Sequence, residues 1–153
     1  MFLEQRLGSG SRPLLHADLT QRILKAFYQV HYELGHGFPE SVYSASLAAM
    51  LIELGMDVQR EYPIGVYFHG IVVGSFRADM VVESKVIVEV KAGLHLDQSA
   101  EAQTLNYLRS TEMEIALLLH FGPRASFKRL IYTNERKSLR VNSAPSVMSE
   151  NPA

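Results

Sequence analysis

Residues 76–92 read FRADMVVESKVIVEVKA, and they constrain the fold more than any other stretch. Side chains alternate faces along a strand. In KVIVEVKA, Val86, Val88, Val90 and Ala92 therefore share one face, and Glu89 and Lys91 share the other. The preceding IVVGSFRADMVV is a second strand. A three-residue loop at Glu83, Ser84 and Lys85 pairs Val82 with Val86, and the same register sets Asp79 opposite Glu89. Two carboxylates opposed across a strand pair repel each other. A divalent cation between them would turn the repulsion into coordination, and oxygen-only ligands favour Mg²⁺ or Mn²⁺. Alternatively, Glu89 and Lys91 are an ion pair on a half-exposed strand, with Asp79 at the sheet margin.

The rest of the chain predicts the frame around this hairpin. Leu19, Ile23, Phe27, Val30 and Leu34 recur at helical spacing over 18–34, after a capping-box pair Asp18 and Gln21 and before Gly35. A second helix is expected over 39–54, opened by Pro39 and closed by Gly55. Period-two segments cover 62–68 and 71–82, joined by a tight turn at His69 and Gly70, and a third strand covers 85–92. Residues 97–110 return to helical spacing behind Asp97 as N-cap. EIALLLHF at 114–121 is a continuous apolar strand of the kind buried on both faces, and FKRLIYT at 127–133 is a last strand. The predicted order is ααβββαββ, in a single domain over 14–141 with flexible termini at 1–13 and 142–153.

With 153 residues, the chain has room for one domain with a real core. No apolar run reaches the roughly 18–20 residues that span a bilayer. The N-terminus lacks the pattern of a signal peptide, so no membrane association is expected and the cytoplasm is the default location. Cysteine is absent, which excludes disulfides and thiolate metal sites. Six scattered histidines show no ligand spacing. Net charge is −1, but residues 124–153 carry a net +4 from Arg124, Lys128, Arg129, Arg136, Lys137 and Arg140 against two acids. That asymmetry fits an anionic partner, and equally an edge strand guarded by charge.

Two further groupings stand beside the hairpin. Gln103 and Tyr107 are spaced i and i+4, on one face of the predicted third helix. GFPESVY at 37–43 places Gly37, Glu40 and Tyr43 three apart at a helix start.

Together these elements resemble the PD-(D/E)XK nuclease superfamily. Asp79 followed by Glu89-Val90-Lys91 looks like its signature, with Ala78 where the superfamily name has proline. Gly37, Glu40 and Tyr43 fit the pattern of the GxxExxY protein family within it, and QTLNY at 103–107 is similar to the Q-x-x-x-Y element of RecB-like exonucleases. The resemblance implies a restriction-endonuclease-like α/β (α+β) fold with an αβββαβ core, a central mixed sheet flanked by helices, and one extra N-terminal helix. It implies that Asp79, Glu89 and the Val90 carbonyl bind Mg²⁺ or Mn²⁺, and that Glu40 is a further ligand or water-positioning carboxylate. Lys91 would orient the attacking water or stabilise charge on the phosphate, and Gln103 and Tyr107 would position the strand or the lysine. Arg77, expected on the face of Asp79, and Lys128 and Arg129 are the candidate phosphate contacts. The implied activity is metal-dependent hydrolysis of DNA or RNA. The alternative is a non-catalytic module of the same fold that binds nucleic acid or a protein, and a homodimer is left open.

Overall fold

The computed structural model describes residues 14–137. The expected flexible termini at 1–13 and 142–153, the last residues of the predicted domain at 138–141, and Arg140 lie outside them. The observed elements are α1 (Ala17–Leu34), α2 (Glu40–Glu53), β1 (Val58–Phe68), β2 (Ile71–Val82), β3 (Val86–Ala92), α3 (Ser99–Arg109), β4 (Ile115–Phe121) and β5 (Ala125–Ile131), followed by a short 3₁₀ turn at Asn134–Arg136. The predicted order ααβββαββ is the observed one.

The strands form one sheet in the order β1-β2-β3-β4-β5. Only β3 and β4 are parallel, and α3 is their crossover. The other neighbours are antiparallel. Parallel strands need such a crossover, and it leaves a helix on one face. Ile87, Ala116 and Leu130 meet Tyr107 and Leu108 of α3 on that face. On the other face Val86, Val88, Val90, Ile115, Leu117 and Leu119 meet Ile23, Phe27, Tyr43, Leu47 and Leu51 of α1 and α2. Every residue of β4 is buried, as its unbroken apolar run requires. Each large side chain buried in these layers contributes about 1.5–3 kcal/mol relative to exposure. Among the described residues, no helix is long and apolar enough to cross a membrane.

Turn chemistry follows the sequence in most places. Gly35 ends α1 with φ +68°, its N–H donating to His31 O at 2.8 Å. His69 and Gly70 both take left-handed φ, 49° and 76°, as a tight hairpin turn requires. Asp97 Oδ1 accepts the Ser99 N–H at 2.9 Å, which holds the Asp97 carboxyl below its usual range, but the N-cap of α3 is Gln98 and not the expected Asp97, and it makes no side-chain cap bond. Asp18 makes no cap; α1 starts at Ala17 without a side-chain cap bond. Pro39 precedes the first residue of α2 in extended conformation, so Glu40 is that helix's first residue.

The largest departure is β1, which begins at Val58 and so runs longer than the predicted 62–68. At Glu61 its backbone turns left-handed, φ 52°. Face alternation breaks at the same level of the sheet. Met80 packs with α1 and α2, whereas Ala78, two residues away, packs with α3. Beyond this level β2 has no β3 partner, because β2–β3 pairing stops at Met80 and Val88. The β1–β2 hairpin therefore projects as an arm, with Phe68, Ile71, Val72 and Val73 exposed.

Candidate active site

The site forms where β2 and β3 part. The turn at 83–85 sets Val82 opposite Val86, with Glu83 and Ser84 in left-handed conformation, and this register carries Asp79 to the level of Glu89. Past Met80 the backbone ladder stops and the two carboxylates take its place. Glu89 Oε1 accepts the Asp79 N–H at 2.8 Å, and Asp79 Oδ2 accepts the Val90 N–H at 2.7 Å. Each acid thus satisfies a backbone donor of the opposite strand that would otherwise be an unpaired buried group.

The electrostatics are unfavourable to a negative pair. Glu89 is 4% exposed. Burial first, then the Asp79 charge, push its carboxyl up to about 8. Asp79 is also raised, chiefly by burial, with further contributions from Glu40 and Glu61. Lys91, half-buried on the same face as Glu89, acts against both shifts but forms no ion pair with Glu89. The salt-bridge alternative for Glu89 and Lys91 is thereby corrected: the Glu89 carboxylate instead takes the Asp79 N–H.

A cleft of about 220 Å³ opens beside the acids. Its walls are Glu40, Ser41 and Ser44 from α2, Arg60 and Glu61 from β1, and Asp79 and Val90 from β2 and β3. Glu40 reaches it because the GHGFP turn aims the start of α2 at the sheet. Gly37 takes φ +108°, which L side chains rarely adopt. Tyr43 latches the turn: its hydroxyl donates to Gly35 O at 2.6 Å and accepts the Phe38 N–H at 3.3 Å. The Tyr43 ring is fully buried and stacks on Phe121 with centroids 4.4 Å apart. Opposite the cleft, α3 presents Tyr107 with the Gln103 side chain beside its hydroxyl. Burial, followed by the Glu89 and Asp79 charges, raises the Tyr107 pKa, which puts this pair against the acids.

Thus Glu40, Asp79, Glu89, Val90, Lys91, Gln103 and Tyr107 gather in one region, from α2, β2, β3 and α3. The expected basic contacts do not join them. The Phe76 ring lies 6.0 Å from that of Tyr107, so Phe76 and Ala78 face α3 and the exposed Arg77 takes the opposite face. The break in alternation at Asp79 is the reason its parity misled. Lys128 pairs with Glu101 of α3 at 2.6 Å. Arg129 points to the other face, donates to Leu15 O at 2.5 Å, and is held below its usual pKa by burial. Lys137 is buried, donating to Thr111 O and Met113 O at 2.9 and 2.6 Å. Lys128 and Arg129 thus take opposite faces of the edge strand β5, and Lys137 lies beyond its end.

Three residues near the site escaped sequence reasoning. Arg60 and Glu61 are consecutive yet both line the cleft, because the left-handed residue breaks the alternation between them. His120 stands beside Lys91 in the parallel register, is 7% exposed, and its Nε2–H donates to Gly93 O at 2.9 Å, fastening the start of the β3–α3 connection. Only the register of β3 against β4, set by the distant crossover, brings it there.

Among the described residues, no three His, Cys, Asp or Glu side chains stand together as a ready-made cation cluster. The donor chemistry at the core of the site nonetheless suits a hard divalent ion. Two carboxylates share a corner largely withdrawn from water; burial raises both pKa values, helped by the Asp79 charge at Glu89 and by Glu40 and Glu61 at Asp79, an arrangement that a cation relieves.

A mixed sheet flanked by helices, parted at one strand pair to present two acids and a lysine, is the architecture of a restriction-endonuclease-like α+β domain. The family model of the PD-(D/E)XK nuclease superfamily matches residues 17–130. The chain belongs to that superfamily. No curated protein and no solved structure matches it.

Proposed function

We propose that this protein is a divalent-metal-dependent nuclease that hydrolyses phosphodiester bonds of DNA or RNA. The observation that carries the reading is the pair of cross-strand bonds, Asp79 N–H to the Glu89 carboxylate and Val90 N–H to the Asp79 carboxylate, which holds a half-buried and a buried acid at one level of the parted strands. Membership of the nuclease superfamily supports it. Gly37, Glu40 and Tyr43, as turn, cleft carboxylate and latch, support placing the chain in the GxxExxY group.

Asp79, Glu89 and the Val90 carbonyl would hold Mg²⁺ or Mn²⁺, with Glu40 at the cleft wall. Such an ion supplies a Lewis acid for the phosphoryl oxygen and makes water acidic enough to attack near neutral pH. Lys91 keeps a cation beside the carboxylates and offsets charge that develops on the phosphate. Gln103 fixes the Tyr107 hydroxyl, and the pair limits how far water and substrate approach Glu89 from the α3 side.

A second reading, a partner-binding module of the same fold, is favoured by one feature, the exposed apolar arm at Phe68 and Ile71–Val73. Nuclease assays on single- and double-stranded DNA and on RNA separate the two. Mg²⁺-dependent products from the wild type that disappear in Lys91→Ala support the enzyme. Failure to cut any of them in Mg²⁺ or Mn²⁺ favours the binding module.

A further inference from the structure

β3 carries Glu89, Val90 and Lys91, and side chains from both neighbouring strands grip it where the backbone ladders run out. On the β2 side the ladder stops at Met80 and Val88, and Asp79 takes over by accepting the Val90 N–H. On the β4 side the ladder ends at Ala92 and Phe121, and His120 takes over. Its Nε2–H donates to Gly93 O, one residue past the last pair, at 2.9 Å. Ile87 and Ala116 pack with α3, so alternation puts Glu89, Lys91 and His120 on that same face. Lys91 and His120 are direct neighbours in the parallel register.

The imidazole has room for this bond because residue 122 is glycine. A Cβ at Gly122 would stand 2.7 Å from His120 Cε1 and 3.2 Å from each ring nitrogen, closer than real side chains come. The φ of Gly122 lies outside the left-handed region, so the backbone itself asks for no glycine there. What the position supplies is space for the ring. From α1, His31 donates its Nε2–H to Gly122 O at 2.8 Å, which fixes the start of the β4–β5 turn. His120 is 7% exposed, and a donor so withdrawn from water needs the partner that Gly93 O provides. The residues that follow β3, Gly93, Leu94 and His95, are all exposed.

We propose that His120 is a positioning residue for Lys91. By holding Gly93 O it fixes the exit of β3 and, two residues earlier, the direction in which the lysine enters the candidate site. Lys91 is the penultimate residue of β3, where an untied strand end opens first. A lysine carries its charge on a flexible stem, so its direction there depends on a fixed backbone. The consequence for catalysis rests on the nuclease reading. The restraint of Lys91 does not.

Three variants test this. His120→Leu removes the donor and keeps an apolar side chain in its place, Gly122→Ala displaces the ring, and His120→Gln returns an amide N–H toward Gly93 O. Trace acetylation in EDTA, read by mass spectrometry, compares Lys91 with the exposed Lys85 of the same molecule. The Lys91-to-Lys85 labelling ratio is expected to rise about fivefold in His120→Leu and in Gly122→Ala, the factor that loss of one net hydrogen bond implies, and to return to the wild-type value in His120→Gln. Cleavage of single-stranded DNA in Mg²⁺ by His120→Leu is expected to lose about tenfold in kcat with KM unchanged. In a Lys91→Ala background the same substitution should cost nothing further, whereas a purely structural role would cost the same in both. An unchanged labelling ratio in His120→Leu and Gly122→Ala, or an equal loss of kcat in both backgrounds, overturns the proposal. If the ratio rises as expected but the wild type cuts neither DNA, single- or double-stranded, nor RNA, the restraint of Lys91 stands and the nuclease reading fails.

Discussion

Asp79 and Glu89 each accept a backbone hydrogen bond from the other's strand, at 2.7 and 2.8 Å, at the level where the β2–β3 ladder ends. The same two groups therefore serve the fold and form the core of the candidate site. As hydrogen-bond acceptors they close the parted strands, and as carboxylates they create a buried negative corner.

That corner makes stability depend on pH with a definite sign. The Glu89 carboxyl titrates at about 8 in the folded protein against 4.5 unfolded. Between those values the native state holds a proton that the unfolded state has lost. Stability should therefore be greatest below about pH 4.5, fall as pH rises toward about 8, and level off above it, as far as this group is concerned. The raised Asp79 adds in the same direction. Glu89→Gln keeps the acceptor for the Asp79 N–H and removes the charge. It should stabilise the metal-free protein at neutral pH by about 2 kcal/mol and flatten the profile. Chemical denaturation in EDTA across this pH range measures both, and a wild-type profile that rises with pH through the window would contradict the assignment.

Tyr43→Phe isolates the latch. The ring keeps its place against Phe121, while Gly35 O loses its donor and Phe38 N–H its acceptor. We expect a loss of about 1–2 kcal/mol in stability. Any loss of nuclease activity should exceed what the unfolded fraction explains, because Glu40 is placed by this turn. Stability and activity unchanged together would show that the turn holds without its latch.

Gly37→Ala tests the same turn through the backbone. A methyl group there meets no atom within 4 Å, so crowding contributes nothing and the φ of +108° decides the outcome. The expected cost is about 1–2 kcal/mol. A neutral result in urea denaturation would mean that the turn relaxes to a negative φ.

Lys91→Ala separates chemistry from cation binding. Lys91 is a cation near the ligand pair and competes with an ion for the same field. Its removal should leave Mn²⁺ affinity equal or tighter while kcat falls about 10²–10³-fold. Weakened Mn²⁺ binding in this variant would show instead that the lysine only supports the carboxylates.

The register of the central hairpin was legible because it depends on a local quantity, the length of the turn at 83–85. From it followed the pairing of Val82 with Val86 and the approach of Asp79 to Glu89. The spacing of Gln103 and Tyr107 likewise predicted a shared helix face. Arg77 was misjudged because face alternation assumes an unbroken strand, and the left-handed Glu61, with no glycine to announce it, coincides with a break at Asp79. The basic segment misled for a related reason: counting charge says nothing of faces, and Lys128, Arg129 and Lys137 turn to different partners. His120 was hidden inside an all-apolar strand whose register against β3 is set by the distant helix α3.

The central claim is that Asp79 and Glu89 bind a divalent cation for phosphodiester hydrolysis. Calorimetric titration of Mn²⁺ into wild type and Glu89→Gln tests it most directly. Saturable binding by the wild type, with affinity at least tenfold weaker in the variant, is the result expected here. Equal binding by the two proteins, or none by the wild type, would contradict it.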